Sequence, residues 1–130
     1  MPSRQRNSRS RRFEVEERQQ KVADIEAMIE DFTRVADELE RQLRYEEQRS
    51  GISDPKHFAY PIYARAARQR RDNLLESIRD LNAKLEEERA GLEQARAELQ
   101  TAEMFATRDG LRARRGGGDR YPGNMALERE

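Results

Sequence analysis

The sequence predicts an all-α fold, a long two-helix antiparallel coiled-coil hairpin with disordered termini. Two ladders of apolar residues at alternating three- and four-residue steps flank one short break rich in Gly, Pro and aromatics. The first ladder runs Val15, Val22, Ile25, Ile29, Phe32, Ala36, Leu39, Leu43. The second runs Ala64, Ala67, Leu74, Ile78, Leu81, Leu85, Leu92, Ala95, Leu99, Ala102. Such a step averages about 3.5 residues per turn, which keeps one narrow seam facing a partner helix. With 35% hydrophobic and 40% charged residues, the chain lacks the apolar surface of a globular core but suits long helices burying one stripe.

The elements follow in order. Residues 1–12 carry five arginines and no acid and show no periodicity, so they read as a disordered basic arm. The first helix is expected over 13–49, starting between Ser10 and Phe13, with Glu14, Glu16 and Glu17 where the helix dipole favours acids. Gly51 stands just past its end as a terminator. The tip, 50–60, contains Asp54-Pro55, a helix-start pair, and Pro61 follows. Either a helical turn at 55–59 followed by a bend, or a helix beginning at Pro61, fits this pattern. The second helix is expected over 61–106, and the glycines at 110 and 116–118 mark 107–130 as a flexible tail.

Facing positions of an antiparallel pair have residue numbers of constant sum, here about 110 from the centre of the tip. That register sets Leu43 against Ala67, Ala36 against Leu74, Phe32 against Ile78, Ile29 against Leu81, Ile25 against Leu85 and Val22 against Glu88. It also sets Arg18 against Leu92, close enough to Glu88 to pair. Slips of seven residues, to about 103 or about 117, keep the same faces. The first helix then ends short of Leu99, Ala102 and Phe105, which lack a facing helix and suggest an additional partner.

Zero net charge conceals segregation. Residues 13–49 hold twelve acids against six bases and 75–106 eight against four, whereas 50–74 hold two against five. Two acidic helices side by side repel, which favours a basic partner or a screened surface. Cysteine is absent, so disulfides and thiolate metal sites are excluded. No run approaches the roughly 18 apolar residues of a membrane span. The basic amino terminus is not followed by an apolar run, as a secretory signal would be. An intracellular, soluble protein is expected.

No catalytic constellation is visible, so the chain is expected not to be an enzyme and to need no cofactor, metal or small-molecule ligand. His57 is the only histidine and reads as a tip-packing or surface residue. The acids lie at helix positions where stabilising neighbours is their usual work. The amino-terminal arginines lack interleaved aromatics and adjoin an acidic helix, which argues against nucleic acid. The tip aromatics Phe58, Tyr60 and Tyr63 cap the open end of the seam or form a contact knob, and the two readings can hold together. Arg65, Arg68, Arg70 and Arg71 are either a solvated basic face or a patch for an acidic protein surface. The candidate partner-binding residues are therefore Phe58, Tyr60, Tyr63, Arg65, Arg68, Arg70, Leu99 and Phe105.

Several segments carry a resemblance. Phe13-Glu14-Val15, the run Lys21 to Ile29, Gly51-Ile52-Ser53-Asp54-Pro55 with His57-Phe58-Ala59-Tyr60, and Gln69-Arg70-Arg71-Asp72-Asn73-Leu74 together resemble the alphaproteobacterial form of the flagellar export protein FliJ family. The resemblance covers residues 13–106, and its distinctive parts are the tip and the Gln69–Leu74 segment. It implies a non-enzymatic component of flagellar type III protein export, similar to the coiled coil of the rotary ATPase gamma subunit. Its implied partners are the hexameric export ATPase, in which it forms a central stalk, the cytoplasmic part of the membrane export gate, and the export chaperones. The implied location is the cytoplasm, peripheral to the inner membrane. The paired prolines at the tip and the Gly-containing tail depart from the family pattern, so no gate-contact residue is carried over. The alternative is a hairpin that inserts its tip into another machine, as some transcription factors do, or a generic scaffold. A transcription-type tip usually carries acids that act on a metal, whereas here Asp54 stands alone beside Lys56.

Overall fold

The structure, a computed structural model, describes the backbone of residues 2–120 and the side chains of residues 6–115. It consists of two long helices packed against each other, α1 (Pro2–Ser50) and α2 (Ile62–Arg120), with no strand among the described residues. Neither helix is long and apolar enough in any window to cross a membrane, among the described residues.

Both helices extend further than the sequence suggested. α1 starts at Pro2, not between Ser10 and Phe13. Proline suits a first helical position because its φ is preset and its missing N–H would be unpaired there anyway. Residues 3–12 contain no helix breaker, and arginine and glutamine are good helix formers. α2 runs on past Ala106 to Arg120. Leu111 to Arg115 favour helix strongly enough to carry it through Gly110, whose cost relative to alanine is about 1 kcal/mol. The remainder of the expected tail, 121–130, and Met1 lie outside the described residues.

The chain divides into two compact units. One, residues 20–89, contains the tip. Its tightest packing is a cluster of Leu39, Leu43, Tyr60, Ala64 and Ala67, with Ile52 and Leu74 against it. Leu43 is fully buried, at 0% exposure. Val22, Ile25, Ala36 and Leu85 are also buried. Ile29, Phe32, Leu74, Ile78 and Leu81 are half-buried, because a two-helix seam covers only the inner side of a large side chain. Between the helices, Arg71 pairs with Glu40 at 2.6 Å, Lys21 with Glu88 at 3.5 Å and Arg89 with Glu26 at 2.8 Å.

The other unit joins residues 1–19 to 90–130. Ser8, Val15, Leu92, Ala95 and Ala102 are buried in it. Arg11 pairs with Glu98 at 2.7 Å and Arg12 with Glu103 at 3.7 Å. Arg18 reaches across so that its guanidinium lies beside Gly91, where a Cβ would stand 2.5 Å from Nη1.

Ion pairs between the helices fix the register at the first of the three anticipated sums: Arg11 with Glu98, Lys21 with Glu88 and Arg71 with Glu40 have numbers adding to 109, 109 and 111. Leu43 and Ala67, whose numbers add to 110, share one core cluster. Two sequence expectations fail. Arg18 does not pair with Glu88, because it bonds Glu14 on its own helix at 3.2 Å while Lys21 takes Glu88. Leu99 and Ala102 do not lack a facing helix, because the longer α1 lies along that stretch.

Candidate partner-binding tip

The tip is closed by local backbone chemistry. Gly51 takes φ +75°, the left-handed region glycine enters without a Cβ penalty. Its N–H donates to the Glu47 carbonyl at 2.9 Å, which ends α1, and the Ser50 hydroxyl donates to the same carbonyl at 3.2 Å. Asp54 then makes a side-chain turn, its carboxylate accepting the Lys56 N–H at 3.0 Å. Two turns follow in succession, His57 N–H to the Asp54 carbonyl at 3.0 Å and Tyr60 N–H to the His57 carbonyl at 3.1 Å. The Arg65 N–H donates to the Pro61 carbonyl at 3.0 Å, so α2 starts beyond the second proline. The second reading of the tip is therefore the one met: 54–60 forms non-helical turns, and the helix begins just past Pro61.

Beneath these turns lies Glu47, a carboxylate buried at the end of α1. The Tyr60 hydroxyl donates to its Oε2 at 2.7 Å, Arg68 Nη2 donates to the same oxygen at 3.0 Å, and Arg44 Nη1 donates to Oε1 at 3.1 Å. The Tyr60 hydrogen bond, followed by those from Arg68 and Arg44, holds the Glu47 carboxyl below the usual carboxylate range. Arg68 in turn is held above the ordinary arginine range, first by its bond to Tyr60. The guanidinium of Arg65 lies over the Tyr60 ring, 5.4 Å from its centroid, and donates to the Pro55 carbonyl at 3.1 Å. Two turns back along α1, Arg71 draws Glu40 below its usual range by hydrogen bonding.

This network sorts the candidate residues. Tyr60, 3% exposed, belongs to the core cluster and closes the seam; it is not part of a contact knob. Arg68 and Arg71 do not form a solvated basic face, since buried or half-buried carboxylates claim both. Arg65 is engaged with Tyr60 and the Pro55 carbonyl. Arg70 has no hydrogen-bond or ion-pair partner among the described residues. Sequence reasoning missed Glu47, which was grouped with the solvated acids. Its signal was position: it lies four residues beyond Leu43, on the flank of the seam, with Arg44 beside it.

What the tip presents to solvent is aromatic and apolar. Phe58 at the apex is 94% exposed, its ring stacked on His57 with centroids 4.8 Å apart. His57 Nδ1 accepts the Ala59 N–H at 3.0 Å, which fixes the turn that carries Phe58. Ile62 and Tyr63, at the start of α2, are 81% and 76% exposed. Tyr63 also borders a hollow of 500 Å³ with Tyr45, Gln42, Ala66 and Arg70. Leu99 and Phe105 lie in the other unit, Leu99 half-buried and Phe105 under the Arg108 guanidinium at 5.1 Å. The candidate residues thus do not gather into one site: Phe58, Tyr63 and Arg70 remain at the tip surface. Among the described residues no group of three or more potential ligands is arranged to hold a metal ion.

Comparison with known proteins gives no family: no family model matches the chain, and neither a curated protein nor a solved structure does.

Proposed function

We propose that this chain is a non-enzymatic coiled-coil component of a flagellar type III export apparatus. In this reading it serves as a central stalk for the hexameric export ATPase and helps bring export chaperones and their substrates to the membrane gate. It works in the cytoplasm, at the inner face of the membrane that holds the apparatus. The support is twofold. The segments that resemble the FliJ family lie in the helical hairpin and its tip, and they include the turn residues Gly51, Asp54 and His57. The observation that carries the reading is a tip held by its own buried ionic network while Phe58, Ile62 and Tyr63 stand exposed above it. Large apolar side chains held in water by a self-sufficient framework are what an interface anchor requires. A tip-inserting transcription factor finds less support, since the tip acid Asp54 caps its own turn by accepting the Lys56 N–H.

The test pairs a pull-down of the full chain against the export ATPase with a swimming assay on a deletion strain. ATPase capture and lost motility are expected. Normal motility together with no ATPase binding removes the proposal.

A further inference from the structure

α2 carries a second seam in the unit formed by residues 1–19 and 90–130. Its first seam, through Leu92, Ala95, Leu99 and Ala102, faces α1 and is buried or half-buried. Ala90, Gln94, Ala97, Thr101, Met104 and Leu111 repeat at the same alternating steps, with Arg108 completing the series, and every one of them is exposed. Two hollows follow this line. The first, of 780 Å³, lies between the line and α1, bordered by Asn7 and Arg11 as well as Ala97 and Thr101; the second, of 410 Å³, on the other flank, is bordered by Met104, Arg108 and Leu111. A seam spacing repeated on the outer side of a helix is the pattern by which a helix packs against two neighbours, and α1 supplies only one.

Charge along the line says what the other neighbour is. Glu93 and Glu98 lie towards its start, and Arg108, Arg112, Arg114 and Arg115 lie at its end. Glu98 is occupied by Arg11, but Glu93 and Arg114, on one flank of the line, have no partner among the described residues. A line acidic at one end and basic at the other, with small residues early and large ones late, complements its own reverse. We propose that a second copy of this chain docks antiparallel on this face, α2 against α2, as a two-fold symmetric dimer. In the layering that the intramolecular seam uses, facing numbers add to about 205. Thr101 then meets the partner's Met104, Gln94 meets the partner's Leu111, and Glu93 lies on the same flank as the partner's Arg114, within its reach. The two-fold axis repeats each contact, so both unpaired charges of both copies are matched. This dimer does not depend on the export role.

Sedimentation equilibrium of the full chain over a hundredfold range of concentration tests the proposal. The mass is expected to rise from that of the 15.3 kDa chain towards twice that value. Met104→Glu combined with Leu111→Glu should leave the mass at one chain with unchanged helicity by circular dichroism, because both side chains are exposed in the single copy. Glu93→Arg alone and Arg114→Glu alone should each weaken association by roughly tenfold, since each sets like charges opposite one another twice. An equimolar mixture of these two variants should associate as the unsubstituted chain does, because each contact is then an opposite-charge pair again. A single-chain mass at every concentration overturns the proposal. So does association that survives the double glutamate variant, and so does a mixture of the two charge variants that fails to associate.

Discussion

Tyr60→Phe removes one atom from the tip and keeps the ring volume of the core cluster. The atom is the hydroxyl that donates to the buried Glu47 carboxylate at 2.7 Å. A hydrogen bond to a charged group contributes about 1.5–3 kcal/mol, and here the acceptor is shielded from water that might replace the donor. Arg68 and Arg44 still hold Glu47 in the variant, so the charge is not stranded and the loss should stay within that range. Urea unfolding followed by circular dichroism at pH 7 measures it. The pH dependence separates this cause from a simple packing defect. Glu47 titrates lower in the folded chain than in the unfolded one, first because of Tyr60. Its contribution is therefore complete above the ordinary carboxylate pKa of about 4.3 and is lost as pH falls through the lower folded value. Without the hydroxyl the folded carboxyl moves back towards its ordinary range. The gap between the two proteins should accordingly be widest at neutral pH and narrow below about pH 4. A gap under about 0.5 kcal/mol at pH 7, below any charged hydrogen bond, or one constant down to pH 3, refutes the assignment of Glu47 as the ionic centre of the tip.

Gly51→Ala should destabilise by about 1–2 kcal/mol in the same unfolding assay. No atom lies within 4 Å of the added Cβ, so the whole cost is that of φ +75°, and Gly51→Asn should recover part of it. Gly91→Ala should instead stabilise, by up to about 1 kcal/mol, from helix propensity. The only close atoms belong to the end of the flexible Arg18 side chain, and a melting temperature that falls would show that Arg18 is held in place there. Leu43→Ala, at a fully buried site, should cost about 2–5 kcal/mol. Phe58→Ala should leave the urea midpoint unchanged, because the ring is exposed, yet on the proposed function reduce capture of the export ATPase in the pull-down; a lowered midpoint would make Phe58 a structural residue.

The helices and their register were legible because a three-four ladder tolerates few readings. Leu43 with Ala67 follows from counting outward from the centre of the tip, and the structure keeps that pairing. The ends were not legible, for a reason that lies in energetics. Residues 6–12 contain no apolar side chain, so their sequence shows no apolar period; Arg11 and Arg12 meet their partners Glu98 and Glu103 more than eighty residues away. The roles at the tip were half legible. Composition marked Tyr60 and Phe58 alike as aromatics of a turn, but only the path of the chain through Asp54 and His57 turns one inward and the other out. Arg68 and Arg71 were misjudged because a local count shows four positive charges, whereas the opposing helix supplies Glu47 and Glu40 at the distance of one hydrogen bond.

The uneven burial within the 20–89 unit has a geometric cause that bears on how its tip can work. Two helices alone cover one side of each seam residue, which is why Ile29, Phe32, Leu74, Ile78 and Leu81 all stay half in solvent. At the tip a third layer is added: Ile52 and Tyr60, carried on the connecting turns, fold over the end of the seam and bring Leu43 and Ala64 to complete burial. Covering that end traps the carboxylate of Glu47, which is tolerable only because Tyr60, Arg68 and Arg44 all donate to it. The same turns that supply the cover point Phe58 outward. Exposure of the apex ring and burial of the core beneath it are thus two consequences of one chain path, and a substitution that loosens the cover should loosen the presentation of Phe58 with it. Backbone amide exchange at residues 55–60 reads this coupling directly. Tyr60→Phe should speed exchange of the His57 and Tyr60 N–H groups, which the turns bond. It should leave the amides of α1 near Ile25, where no tip residue packs, at their original rate.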